Sequence, residues 1–261
     1  MRLTVLGSSA SFAGPGQACS GYLVETGGTR VLLDCGNGAL ANAAAVTDVT
    51  TLDAVFISHT HPDHYLDLYA LQAALRYAPE GPAGPLPLHL PKGLFERMGS
   101  LLSERGRREL EAAYVPTDLA DDEPVTVGPL TVTPRGVDHD SLAFGFRIEA
   151  GDERFCYTGD TRYGEAALRL TSHCGVLLAD CTLPSEYAGR APHMTPGEAG
   201  RLASASGTRL LVLTHLWPTA DRERLLTDAR VEFAGEVVLA DELMDIEIEP
   251  ALFGPWEENE R

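Results

Sequence analysis

The sequence predicts an α/β protein, and three observations carry that prediction. Apolar runs of strand length fall into two groups, one in each half of the chain, with helical stretches interleaved among them. The runs are short and bounded by Gly, Pro, Asn and Asp, as strands are. Histidines and aspartates collect at or just past the ends of several of them.

In chain order, Leu3 to Leu6 reads as a buried strand that stops at Gly7, and a small-residue loop follows from Ser8 to Gly16. Gly21 to Val24 and Arg30 to Asp34 read as a hairpin around Gly27-Gly28. Asp34-Cys35-Gly36-Asn37-Gly38 turns the chain into an alanine-rich helix near Ala39 to Ala45, with Asp34 in a structural role. Leu52 to Ile57 is a buried strand, and a helix from Tyr65 to Tyr77 follows, ended by the Pro/Gly loop Pro79 to Pro87. Leu86 to Leu90 is a short strand in which His89 is a partly buried structural histidine, and Leu94 to Ala113 is helical. Hairpins turn at Gly128-Pro129 and at Gly151-Asp152. Gly175 to Asp180 and Arg209 to Thr214 are buried strands with a helix from Pro196 to Ser206 between them. Val237 to Ala240 and Met244 to Ile248 are late strands.

The length fits one large α/β domain or two small ones. Residues 1–250 are assigned to a single domain and 251–261 to an acidic, frayed C-terminal tail. No apolar run approaches a membrane span of about 20 residues. Met1-Arg2 leads directly into a strand, which predicts a cytoplasmic protein without a signal peptide. The five cysteines form no C-x-x-C pair and are odd in number, so reduced thiols are expected rather than a disulfide framework or a thiolate zinc site. The net charge is −18, and two divalent metals would leave it near about −14. A large polyanion normally needs a basic stripe, whereas Arg105, Arg107 and Arg108 are interspersed with Glu104, Glu109 and Glu111 as on a solvated helix face. Nucleic acid is therefore a disfavoured partner. A small anion can still bind where metals dominate the local field.

The most informative segment is Ser58-His59-Thr60-His61-Pro62-Asp63-His64. Imidazole and carboxylate are ligands that zinc and similar divalent metals favour, and four such groups at the mouth of a strand can hold two metals. Further candidates follow in order: His139, Asp160 and His215.

This pattern resembles that of the metallo-β-lactamase superfamily, H-x-H-x-D-H followed by His, Asp and His, and the resemblance runs from Leu3 to the His215 region. It implies a four-layer αβ/βα sandwich with two facing sheets, helices outside and ligands on loops at one edge. It also implies two divalent metal ions, zinc or alternatively manganese. His59, His61 and His139 would hold one, Asp63, His64 and His215 the other, and Asp160 would bridge them. Such a pair can share one hydroxide and clamp a substrate oxygen, which makes a hydrolase. Asp63 would also orient the attacking water.

Three features resemble the ribonuclease Z branch and its cyclic nucleotide phosphodiesterase relatives. One is Gly159-Asp160-Thr161 after Tyr157-Thr158; another is the long insert between His61 and His139. The third is Ala179-Asp180-Cys181-Thr182 followed by His193-Met194-Thr195 and Glu198-Ala199-Gly200. Relatives carry a Glu–His pair here that protonates the leaving alkoxide. The resemblance implies His193 as general acid, oriented by an Asp180 that is one methylene shorter. A loop role for His193 and a cap role for Asp180 are the bland alternatives. Leu6-Gly7-Ser8-Ser9-Ala10-Ser11 and Ser20-Gly21-Tyr22-Leu23 also resemble actinobacterial-type cyclic nucleotide phosphodiesterases. Pro79 to Pro87 is too short for the long arm with which ribonuclease Z holds transfer RNA.

The expected activity is therefore dinuclear phosphodiesterase action on a small, cyclic or linear nucleotide. A transfer-RNA 3′-processing nuclease, a lactone or thioester hydrolase, and a non-catalytic metal or ligand sensor are the alternatives. The branch implies a homodimer. Trp217 could stack on a base and Arg162 could grip a phosphate oxygen, with Pro218 and Tyr163 beside them, or the Trp could be packed and the Arg a surface group.

Overall fold

The computed structural model describes residues 1–79 and 81–250; the expected tail at 251–261 lies outside the described residues. The first half runs β1 (Arg2–Gly7), β2 (Gly21–Thr26), β3 (Thr29–Cys35), α1 (Ala39–Val46), β4 (Ala54–Phe56), α2 (Leu68–Tyr77), β5 (Leu86–Leu90), α3 (Leu94–Ser100), α4 (Glu104–Ala113) and β6 (Tyr114–Asp118). The second runs β7 (Val125–Val127), β8 (Leu130–Gly136), β9 (Phe144–Ala150), β10 (Glu153–Tyr157), α5 (Glu165–Thr171), β11 (Val176–Asp180), α6 (Pro196–Ser206), β12 (Leu210–Thr214), α7 (Arg222–Glu232), β13 (Glu236–Leu239) and β14 (Asp245–Glu247).

These strands form two seven-stranded sheets, ordered β14-β1-β2-β3-β4-β5-β6 and β13-β12-β11-β10-β9-β8-β7. In each sheet β3 to β6, or β10 to β13, run parallel, and the other pairs are antiparallel. The expected αβ/βα sandwich is the observed architecture.

Period-two alternation builds the four layers. Val5, Tyr22, Leu33 and Phe56 of one sheet meet Phe146, Phe155, Tyr157 and Leu178 of the other in the central core. The Phe56 and Phe146 rings make an edge contact at 5.8 Å. The intervening residues point outward. Leu23, Leu32, Val55 and Ile57 pack on Leu68, Leu71 and Leu75 of α2, and Cys156, Leu177, Leu211 and Leu213 pack on Leu202 of α6 and Leu225 of α7. Strands buried on both faces read as unbroken apolar runs, which is why they were legible. Each such side chain contributes roughly 1.5–3 kcal/mol.

The structure differs from the sequence reading in several elements. The helical stretch Leu94 to Ala113 is two helices, because the Ser103 hydroxyl caps a new one by accepting from Gly106 N at 3.2 Å. Helix α2 begins at Leu68 rather than Tyr65, after Pro62–His64 forms one 3₁₀ turn. Strand β6 and helices α5 and α7 were not anticipated. Only Tyr114 of β6 is buried, and α7 buries only Leu225 and Ala229, so neither carries a periodic apolar signal.

Candidate metal centre

Apart from His193, which lies in the loop between β11 and α6, each candidate catalytic or metal-ligating residue lies at or just past the carboxyl end of a strand. Asp34 is in β3, Ser58 to His64 follow β4, and His139 follows β8. Asp160 follows β10, Asp180 ends β11, and His215 follows β12. Facing parallel strands end at one edge of the sandwich, so loops distant in sequence meet there.

Two glycines permit the approach. A Cβ on Gly36 would lie 1.9 Å from the Asp63 carbonyl oxygen, so only glycine lets the β3 turn touch the histidine-rich loop. Gly159 has φ +57° and a Cβ there would lie 2.7 Å from the Phe144 carbonyl, which delivers Asp160 inward. Asp34 and His215 themselves adopt left-handed φ values of 56° and 54°, strain of the kind that functional sites hold.

The residues converge in three groups, of which Asp160, Asp180, His193 and His215 form one that shares Asp160 and His215 with the other two. His59, His61, His139 and Asp160 make up the first, and Asp63, His64 and His215 the second. In the first, His61 Nδ1 lies 3.0 Å from His59 Nε2 and 3.2 Å from His139 Nε2. In the second, His215 Nε2 lies 3.3 Å from His64 Nε2 and 3.2 Å from Asp63 Oδ2. Asp160 Oδ2 reaches both, at 3.4 Å from His59 Nε2 and 3.4 Å from His64 Nε2. A tetrahedral zinc with bonds of about 2.0–2.1 Å sets its ligand atoms about 3.3–3.4 Å apart. The donor spacing therefore fits a pair of divalent ions sharing Asp160. The buried Asp160 Oδ1 takes no hydrogen bond, although His215 Nδ1 stands 3.4 Å away, and it too is free to face a cation.

The opposite ring nitrogens are held, and at His64 and His139, whose partners can only accept, this fixes the tautomer. His59 Nδ1 meets Ser58 Oγ at 3.0 Å, His64 Nδ1 donates to Asp34 Oδ2 at 2.8 Å, and His139 Nδ1 donates to the Pro192 carbonyl at 3.1 Å. His215 Nδ1 lies 2.7 Å from Thr182 Oγ1. His61 is reversed: its Nδ1 faces the cluster while Nε2 lies 3.4 Å from Asp140. Asp34 also accepts from Ser58 N at 2.7 Å and from Tyr157 Oη at 2.7 Å. It orients ligands from behind, in keeping with a structural role. Asp63 is anchored by Ser11 N at 2.6 Å.

Beside the first two groups, His193 Nδ1 donates to Asp180 Oδ2 at 2.9 Å, and its ring lies 5.2 Å from His139 and 5.5 Å from His215. The shorter aspartate still reaches. Asp180 Oδ1 accepts from Thr182 Oγ1 at 2.7 Å, so one buried carboxylate braces His193 directly and His215 through a hydroxyl. Burial opposes charge on His193, but the Asp180 carboxylate outweighs it and raises the imidazole above its ordinary value. Burial likewise opposes charge at His215, and Asp160 lifts it to about 10. Burial pushes Asp160 up, while His215, His64 and His59 hold it well below the usual carboxylate range.

Sequence reasoning assigned no role to Ser11, Ser58, Thr182 and Asp140: Ser58 and Asp140 adjoin a ligand candidate, whereas Ser11 and Thr182 are brought to Asp63 and His215 only by the fold. For Arg162 the alternatives were a grip on a phosphate oxygen or a surface group, with Tyr163 beside it. Arg162 pairs with Asp138 at 3.2 Å, and Tyr163 packs on the outer core beneath Arg201.

Residues 29–216 match the family model described as a Beta-lactamase superfamily domain. A Mycobacterium tuberculosis protein is 36% identical, covering 94% of this chain and 92% of its own. The metallo-beta-lactamase fold protein YhfI of Bacillus subtilis superposes with a TM-score of 0.85 at 30% identity, over 94% of this chain and 99% of that one. Ribonuclease Z of Methanosarcina acetivorans is 28% identical, over 95% of this chain and 98% of its own. With the fold, the ligand geometry and these relatives in agreement, the chain belongs to the metallo-β-lactamase superfamily, in its ribonuclease Z-like branch.

Proposed function

We propose that residues 1–250 form one hydrolase domain, a dinuclear-metal phosphodiesterase acting on small cyclic or linear nucleotides or related phosphodiesters. The observation that carries this reading is the contact of His193 with Asp180 at 2.9 Å, beside both ligand groups. Expelling an alkoxide from phosphorus requires a proton donor, and a carboxylate-braced imidazole at the metal cluster supplies one. His59, His61 and His139 would hold one divalent ion, Asp63, His64 and His215 a second, and Asp160 lies within reach of both groups. When bound, two such ions acidify water and polarise phosphoryl oxygens. Asp63, fixed by Ser11 N, orients the incoming water, and Asp180 keeps the His193 proton aimed at the departing oxygen. The donor spacing supports zinc, and the ligand types also accept manganese.

The net charge of −18 supports a small substrate over RNA. Similarity to ribonuclease Z favours transfer-RNA processing as the second reading. Five buried thiols, none in a disulfide, support a cytoplasmic setting, and no helix among the described residues is long and apolar enough to cross a membrane.

The test is turnover of a panel with added zinc or manganese: 2′,3′- and 3′,5′-cyclic nucleotides, bis(p-nitrophenyl) phosphate, precursor transfer RNA, a lactone and a thioester. Turnover of the cyclic nucleotides supports the proposal. Cleavage of the RNA alone, or of the carboxyl esters alone, overturns it. Full metal loading without turnover of any substrate points to a metal or ligand sensor.

A further inference from the structure

A cleft of about 450 Å³ opens on the outer face of the second sheet, over β8, β9 and β10 beside α5. No metal-ligand candidate lines it, nor does His193. Alternation along these strands sends Val132, Phe146, Ile148 and Phe155 into the central core and turns their neighbours Thr133, Arg147, Glu149 and Arg154 outward. Arg135 of β8 and Arg169 of α5 complete a lining with four guanidiniums.

Three carboxylates answer them. Asp122 pairs with Arg135 at 2.6 Å, and Asp121 pairs with Arg169 at 2.8 Å. Glu149 is shared: one of its oxygens lies 2.5 Å from Arg154 Nε and 3.4 Å from Arg147 Nε. Both of these arginine side chains are only 13% exposed. Their other contacts are carbonyls. Arg147 donates to Ser172 O at 2.7 Å, and Arg154 donates to His173 O at 3.4 Å. A carbonyl satisfies a donor but brings no charge. The ion pairs therefore leave one positive charge without a counterion in a largely buried pair, and a charge so placed is costly until it is paired. The excess is local, since the chain as a whole carries −18. A phosphate group matches it, because a guanidinium grips phosphate oxygens at two points.

We propose that this cleft is a binding site for a phosphate-bearing anion, whose oxygens supply the charge that Arg147 and Arg154 lack. The volume lies within the roughly 300–1,000 Å³ of small-molecule pockets, so it admits a nucleoside monophosphate as well as free phosphate. The site is separate from the metal centre and stands whatever that centre hydrolyses.

Ser172 allows a test from the rim of the cleft. Its side chain is exposed, and the carbonyl that Arg147 uses survives substitution. Ser172→Glu offers the cleft a carboxylate of its own, and Ser172→Gln offers the same bulk without the charge. Titration calorimetry of the metal-loaded protein with inorganic phosphate, at constant ionic strength, should find one more equivalent bound by the parent and by Ser172→Gln than by Ser172→Glu. Affinity at the cleft should fall about tenfold or more in Ser172→Glu. Without phosphate, Ser172→Glu should melt above the parent, and phosphate should raise its midpoint less. Equal stoichiometry in the parent and Ser172→Glu would place all bound phosphate at the metal centre and overturn the site. A rise in the parent's midpoint that sodium chloride of the same ionic strength reproduces would be screening and would overturn it too. Adenosine monophosphate is the second arm. Binding tighter than that of phosphate, and lost in Ser172→Glu, identifies a nucleotide as the ligand; binding no tighter, and lost in the same variant, identifies free phosphate.

Discussion

The Asp180 carboxylate and the His193 imidazole meet at 2.9 Å, the first fully buried and the second still partly open to solvent. That pairing fixes which nitrogen of His193 faces the protein and leaves the other for a substrate. His193→Ala should keep both metals bound, because it removes no ligand. It should slow an alkyl phosphodiester by roughly 10²–10⁴-fold and affect a p-nitrophenyl ester far less, since p-nitrophenolate leaves unaided. Equal losses on both substrates, with metal content intact, would make His193 a substrate-positioning residue.

Asp180→Asn reaches further. It weakens the hold on His193 and also the Thr182 link to His215 Nδ1. Affinity for divalent metal should fall about 10–100-fold alongside the loss of turnover on alkyl diesters. A chelator competition that finds unchanged affinity would show that Thr182 alone orients His215.

Asp160 is the only carboxylate in contact with both ligand groups among the described residues. Asp160→Ala should lose metal and activity together. Elemental analysis that still finds two equivalents per chain would remove the bridging role.

Gly36→Ala tests whether the turn after β3 sets the position of the histidine-rich loop. The added methyl would overlap the Asp63 carbonyl, a clash that the backbone can relieve only by shifting. Metal affinity should drop and the thermal midpoint should fall, at a cost of about 1–3 kcal/mol for overpacking. A variant with wild-type metal content and melting point would show that the loop tolerates displacement.

His89 gives the fold an acid sensitivity of its own. Its ring stacks on Phe56 at 4.5 Å, its Nδ1 has no hydrogen-bond partner, and burial holds its pKa below the ordinary imidazole value. In the unfolded chain it takes a proton near about pH 6.5, which the native state resists. Its contribution to stability is therefore present above that pH and is lost as pH falls below it, by at most about 1.4 kcal/mol per pH unit. Urea unfolding of chelator-treated protein between about pH 7.5 and 5.5 should show a shallower pH dependence for His89→Leu than for the parent. Parallel curves would assign the acid sensitivity to other groups.

The sequence by itself determined the sandwich and the identity of the metal-ligand candidates. Strands such as β4 and β12 are buried along their whole length, so their apolar runs needed no context to be read. His59, His61, Asp63 and His64 stand within six residues, and chemistry of that density shows in one dimension. Helix α7 was invisible, because Asp221 caps a segment with only two buried side chains, and docking on α6 rather than periodicity holds it in place. The supporting shell was equally hidden. Asp34 braces His64 from 30 positions away, and Tyr157 Oη reaches Asp34 across 123. Whether an aspartate could replace a glutamate beside His193 depended on a backbone separation that only the packing of β11 against the following loop sets. The ligands are a property of residue type and order. Their orientation arises from where strand ends from two sheets are brought together, and only the tertiary structure decides that.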